Sequence, residues 1–224
     1  MKRRRLLATA AALPLATKAR ADEARGPILV ELFTSQGCSS CPRADVALAR
    51  LVGRSDVLPL AFHVTYWDNL GWRDTLGDAR CTARQQWYAS LLGTGPYTPQ
   101  MVVAGRVDIV GSDARLEPFL AALGPDHRPA AIAIDGNGTA HLPSLPAGTR
   151  LLAVRYLPVI TVDILRGENA GESITYRNAV RDLAEMATAG PALDLSALAA
   201  PGEGLAVIAQ SPDGTVLATG SRLL

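Results

Sequence analysis

Apolar and polar positions alternate along this chain in blocks that predict a definite order of elements. Ile28-Leu29-Val30-Glu31-Leu32-Phe33 is a short, mostly apolar run of the kind that forms a strand buried on both faces. Thr34 to Gly37 turns the chain. Pro42 then stands at a first helical position, and Ala44, Ala47, Leu48, Leu51 and Val52 recur at three-to-four spacing until Gly53. Val57 to Thr65 reads as a second strand, with Pro59 near its start, where a missing donor does least harm. After the aromatic loop Tyr66 to Trp72, the stripe Ala83, Trp87, Tyr88, Leu91 and Leu92 predicts a helix over 78–92 that stops at Gly93. Gln100 to Val103, the Ala104-Gly105 turn and Arg106 to Val110 make a hairpin. Ser112 or Asp113 caps a last helix that runs through Leu123 and ends at Gly124.

This order, strand, helix, strand, helix, hairpin, helix, predicts a mixed α/β sheet flanked by helices on both faces. Beyond Pro125 the texture changes to short strand-like runs separated by turns, at 130–134, 139–142, 151–157, 159–165, 173–180, 205–210 and 216–219. Such spacing predicts a small, mainly-β C-terminal subdomain. Residues 174–187 fit a helix as well as a strand, and 190–204 reads as loop. The organisation expected is a leader over 1–21, an α/β domain over 22–125 and the β subdomain over 126–224.

The leader alters the charge balance. Lys2 and Arg3 to Arg5 precede an apolar run from Leu6 to Ala16, and Ala19-Arg20-Ala21 offers small residues around a cut. Eleven apolar residues are too few to span a bilayer, so the segment reads as a cleavable signal peptide, and its arginines also fit a twin-arginine signal. It holds six of the 22 basic residues and none of the 21 acidic ones, which leaves 16 basic against 21 acidic residues, a net of −5, after removal. With no basic cluster left, a nucleic-acid partner is not expected, and no later run is apolar enough to span a membrane. Export to the periplasm or beyond places the cysteines in an oxidising compartment.

Cys38-Ser39-Ser40-Cys41 is the strongest chemical signal. Two cysteines three apart at the entry to a helix have neighbouring side chains, within disulfide reach. Cys38 precedes the first turn, where unpaired N–H groups and the helix dipole stabilise a thiolate, whereas Cys41 lies inside the helix. Cys38 is thus the expected nucleophile and Cys41 the resolving thiol. Pro42 after the second cysteine rules against haem attachment, and Cys81 with His63, His127 and His141 gives no four-ligand zinc pattern. The reading calls for no cofactor and no metal. A structural bridge and metal transfer through the pair stand as alternatives.

Tyr97-Thr98-Pro99-Gln100 enters the strand expected to face the CxxC loop, where a cis peptide would leave the Thr98 backbone open to an extended substrate. Glu31, on the strand before the loop, has two readings: a buried carboxylate beneath Cys41 that relays its proton, or a charge bound to an arginine. Tyr66, Trp67 and Trp72 either flank a peptide groove or cap the core. His63 reads as packing. Cys81 is expected to be buried, as free cysteines usually are.

CxxC at a helix start and Thr-Pro before the third strand resemble the motif pair of the thioredoxin superfamily, over residues 27–124. Val30 to Pro42, Tyr66-Trp67-Asp68 through Gly71-Trp72, Tyr97 to Met101 and Arg166-Gly167-Glu168-Asn169-Ala170-Gly171 are more narrowly similar to the secreted thioredoxin-like domain-of-unknown-function family 1223. The resemblance implies a thioredoxin-like fold and mixed-disulfide chemistry in which Cys38 attacks, Cys41 resolves, and Thr98 and cis Pro99 face them. Gly37, where thioredoxins often carry an aromatic residue, and the Ser39-Ser40 dipeptide leave the redox potential open. The implied partners are protein or small-molecule thiols and disulfides, and a redox partner protein. Two alternatives remain: a non-catalytic binding protein with a structural Cys38–Cys41 bridge, and copper delivery through the pair.

Overall fold

The computed structural model describes residues 25–111, 114–124, 127–187 and 190–224. The expected leader over 1–21, the cap at Ser112 or Asp113 and the change of texture at Pro125 lie outside the described residues. Strands β1 (Ile28–Thr34) and β2 (Val57–His63) are buried at every position and pair in parallel, from Ile28 opposite Val57 to Thr34 opposite His63. Helix α1 (Cys41–Ala49) connects them. Helix α2 (Ala79–Leu92) starts where the Asp78 carboxylate accepts the Arg80 N–H and stops at Gly93, whose φ of 67° is left-handed. The antiparallel pair β3 (Gln100–Val103) and β4 (Val107–Val110) follows, β3 lying along the other side of β1. Helix α3 is Leu116–Leu123.

The second half is built from strands. These are β5 (Ala130–Ala131), β6 (Ala133–Ile134), β7 (Thr139–His141), β8 (Arg150–Asp163), β9 (Ser173–Met186), β10 (Ala192–Asp194), β11 (Gly204–Gln210) and β12 (Val216–Leu223). The two runs expected at 151–157 and 159–165 are one continuous strand, β8, which carries Pro158 within it. The segment that fitted helix or strand is strand β9.

The expected fold class, a thioredoxin-like α/β sheet flanked by helices with an extra C-terminal mainly-β subdomain, is corrected by the sheet order. Strands β4-β3-β1-β2-β9-β8-β11-β12-β5 form one mixed nine-stranded half-barrel sheet, and β10-β7-β6 form a small second one. The described chain is mostly β, with three short helices. The join is the parallel pairing of β2 with β9, in which Ala61 lies opposite Ala179. A pairing between strands more than a hundred residues apart leaves no trace in local periodicity. One core cluster draws Leu29 and Phe33 of β1 together with Val154 of β8 and Ile208 of β11, so both halves of the chain share it.

Alternation along β1 sorts its side chains between the two faces. Ile28, Val30 and Leu32 pack with Ala44 and Leu48 of α1 and Leu116 and Leu120 of α3, while Leu29 and Phe33 pack with Tyr88 of α2. The same parity decides which polar residues can meet α1.

Candidate functional site

Cys38 and Cys41 form a disulfide at the mouth of α1, with Cα atoms 5.4 Å apart. Both sulfur-bearing residues have 0% exposure, whereas Ser39 and Ser40 between them are exposed. The Cys38 sulfur lies 3.3 Å from Ser40 Oγ. Ahead of the pair, Gln36 is held by its whole surface: its N–H donates to Asp74 Oδ2 at 2.8 Å, its Oε1 accepts from Trp72 Nε1 at 2.8 Å and from the Thr75 N–H at 3.1 Å. Gly37 is small for a reason, because a Cβ there would come within 3.1 Å of the Trp67 Cβ.

The Thr98–Pro99 peptide is cis. Trp67 links this segment to the cysteine loop, as its Nε1 donates to Thr98 Oγ1 at 2.8 Å while its Cβ abuts Gly37. Pro99 also reaches toward α1: a side chain at Gly111 would strike both the Ala44 and Pro99 Cβ atoms, at 2.7 and 3.0 Å. Trp67 and Trp72 therefore frame the site, and Trp67 also packs against the core.

The carboxylate beneath the pair is not Glu31. Position 31 has the parity of Leu29 and Phe33, so Glu31 faces α2, where Arg84 and the Tyr88 hydroxyl bind it and Gln210 completes the buried network through Arg84 and Tyr88. Of its two expected placements, the one beneath Cys41 is ruled out on that ground and the arginine-bound one is observed. The buried acid on the α1 side is Asp45. It lies one turn after Cys41 on the same face of α1, a spacing that brings Cβ atoms to about 5–6 Å. It is buried with 5% exposure, accepts from Thr34 Oγ1 at 3.3 Å, and leaves Oδ1 without a partner among the described residues.

Asp45 belongs to a buried cluster of titratable groups. His63, opposite Thr34 in the β1–β2 register, shares the α1 face; its Nδ1 lies 2.8 Å from Asp74 Oδ2, and its Nε2 has no partner among the described residues. Tyr176 of β9 closes the cluster with its ring edge-on to His63 at 4.8 Å. Burial pushes the Asp45 carboxyl up to about 7, opposed by the His63 charge and the Thr34 hydrogen bond. Burial acts to lower the His63 pKa, but the Asp74 charge and hydrogen bond, joined by the Asp45 charge, carry it above its usual value. Asp74 is held below the carboxylate range: burial acts upward, and the His63 charge and hydrogen bond together with the Gln36 and Leu76 N–H groups outweigh it. Asp74 thus joins the histidine to the backbone just before Cys38. Reading His63 as mere packing missed this link.

The turn between β8 and β9 closes the other side. Asn169 is buried, and its Nδ2 donates to the carbonyls of Gln36 and Cys38 at 2.8 and 3.0 Å. Glu168 accepts the Ser39 N–H at 3.0 Å. Cys81, by contrast, is a free buried thiol in α2 whose pKa burial raises strongly. No three or more His, Cys, Asp or Glu side chains are placed to hold a metal ion among the described residues, and none of the described helices is long and apolar enough to cross a membrane.

A family model described as "Protein of unknown function (DUF1223)" matches residues 29–210. A crystal structure of a protein from Agrobacterium tumefaciens is similar at 28% identity and a TM-score of 0.71, covering 89% of this chain and 95% of that one. HBP35 of Porphyromonas gingivalis is similar in fold, with 15% identity, a TM-score of 0.56 and coverage of 89% and 76%. No curated protein matches the chain.

Proposed function

The chain belongs to the DUF1223 family, which is defined without a function, and from its cysteine site we propose that it is an exported thiol-disulfide oxidoreductase working through Cys38 and Cys41. The observation that carries this reading is a cysteine pair at a helix mouth with a buried carboxylate one turn below it, one oxygen of which is free to take a proton. The local likeness of Cys38-Ser39-Ser40-Cys41 and Thr98-Pro99 to the thioredoxin superfamily motif pair supports the chemistry. The leader read from residues 1–21 supports export.

In the reducing direction, the Cys38 thiolate attacks one sulfur of a substrate disulfide, forming a mixed disulfide and expelling the other substrate sulfur as a thiolate. Asp45 in its ionised form accepts the Cys41 proton, and the Cys41 thiolate attacks the Cys38 sulfur. The Cys38–Cys41 bond forms, the second substrate thiolate leaves, and two electrons have passed to the substrate. Run backwards, the same steps oxidise a substrate dithiol. A carboxyl that titrates near 7 suits this task, since a general base works best close to the ambient pH. Thr98 and Pro99 are assigned to substrate positioning and Glu31 to holding α2 on the sheet. Substrates are thiols or disulfides of proteins or small molecules, and a separate redox protein resets the pair.

One observation favours a second reading, a binding protein with a structural bridge: both cysteines are fully buried in the disulfide form. Reduction potential separates the two. A catalytic pair is expected at about −270 mV or above, and a structural bridge below about −300 mV. In insulin-reduction and scrambled-substrate reoxidation assays, Cys38→Ser should abolish turnover, and wild-type rates in that variant would reject the redox function.

A further inference from the structure

We propose that Glu168, at the tip of the β8–β9 hairpin, is a positioning residue that holds an anion at the mouth of α1 and so restrains the Cys38 thiolate. The proposal deepens the redox reading and rests on it. The amides at the start of a helix attract negative charge. In the disulfide the Cys38 sulfur carries none, and the Glu168 carboxylate is held just ahead of that mouth by the Ser39 N–H, which precedes the Ser40 cap of α1. Once the pair is reduced, two anions would share that mouth, so the carboxylate raises the free energy of the ionised, reduced state alone.

Glu168 is placed there by its neighbours. The adjacent Asn169 is fixed to the Cys38 and Gln36 carbonyls, which ties the turn directly to the nucleophile's backbone. Gly167, with φ of 80°, packs so closely that a Cβ would come 3.0 Å from the Trp72 Cβ, so the turn is seated against residues 66–72 as well. Hydrogen bonds from the Ser39 side chain and N–H hold the Glu168 carboxyl below its usual range, which keeps it ionised at neutral pH. The other charged groups on the surrounding elements are Glu31 of β1, Arg43 and Asp45 of α1, His63 of β2, Asp68, Arg73, Asp74 and Asp78 of the segment after β2, and Arg166 and Glu172 of the same turn. None of the cations forms an ion pair with Glu168 among the described residues.

The test is the pH dependence of Cys38 alkylation by iodoacetamide in the reduced full chain, followed by mass spectrometry for the wild type, Glu168→Gln and Glu168→Ala. Gln retains an acceptor for the Ser39 N–H and lacks the charge. Both variants should lower the alkylation midpoint by about half a pH unit or more, as expected for removal of a nearby like charge at a partly screened site, and raise the reduction potential. The shift should shrink in 1 M salt. A wild-type midpoint in Glu168→Gln overturns the proposal, as does a shift confined to Glu168→Ala, which would mark a purely structural contact. Turnover with insulin separates this inference from the one beneath it: an unmoved midpoint in an active enzyme rejects the Glu168 role alone, whereas a shifted midpoint in an inactive protein upholds the electrostatics and rejects the redox function.

Discussion

Replacing Asp45 with Asn tests the centre of the mechanism, and its effect on stability can be worked out in advance. The Asp45 carboxyl moves from an ordinary 3.8 to about 7 in the folded protein, so between those values the native state holds a proton that the unfolded chain has released. Stability contributed by this group is therefore fully present below about pH 4 and declines as pH rises toward 7. At 1.36 kcal/mol per pH unit, ionising Asp45 costs the fold about 4 kcal/mol by pH 8. His63 works in the same direction, because its raised pKa means that its contribution too fades as pH rises through the folded value. Urea unfolding of wild type and Asp45→Asn at pH 4 and pH 8 should accordingly show the variant gaining about 4 kcal/mol on the wild type across that interval. The same variant should resolve mixed disulfides about a hundredfold more slowly, since Asn cannot take the Cys41 proton. A stability difference that does not change with pH would show that Asp45 is not a buried titrating acid. A variant more stable at high pH yet catalytically unimpaired would leave the burial intact and remove the relay.

Other outcomes follow from the same contacts. Glu31→Gln should lower unfolding free energy by about 3–5 kcal/mol in urea titrations, because it leaves the buried Arg84 uncompensated, while turnover per folded molecule stays at the wild-type level; a specific loss of turnover would return the relay to Glu31. Asn169→Ala removes two hydrogen bonds from the cysteine loop and should cost about 1–3 kcal/mol in thermal or urea unfolding, with faster hydrogen exchange at Gln36 to Ser39 as its local signature. Cys81 should resist alkylation in the native protein and react only on unfolding, which mass spectrometry of the labelled chain reads directly.

Much of the site's frame is legible in the sequence, because it is local. The strand-to-helix junction that carries the cysteines, the Gly93 stop of α2, and the hairpin over 100–110 all follow from spacing and turn residues within a dozen positions of each other. Asp45 has a local signal too, a carboxylate four residues after Cys41 and between Ala44 and Leu48 of the buried stripe. Of the two readings open for Glu31, the period of two selects the arginine-bound one, because it sets Glu31 with Leu29 and Phe33 on the α2 face. What local pattern could not supply is long-range. Asn169 and Glu168 meet the cysteine loop from about 130 residues away, and Arg166 to Gly171 stand out in the sequence through their family likeness, which gives them no place beside the cysteines. The β2–β9 pairing is equally silent, since Ala61 and Ala179 look like unremarkable strand residues until they are seen opposite each other.

That pairing has a consequence for anyone who would shorten the chain. Cutting near residue 125 would keep both cysteines, α1, α2 and the cis peptide, but it would strip β9 from the flank of β2. Val57–His63, buried at all seven positions, would then become a free edge with unpaired amides and an apolar surface. Such a fragment is expected to aggregate instead of reporting on the chemistry of its thiols.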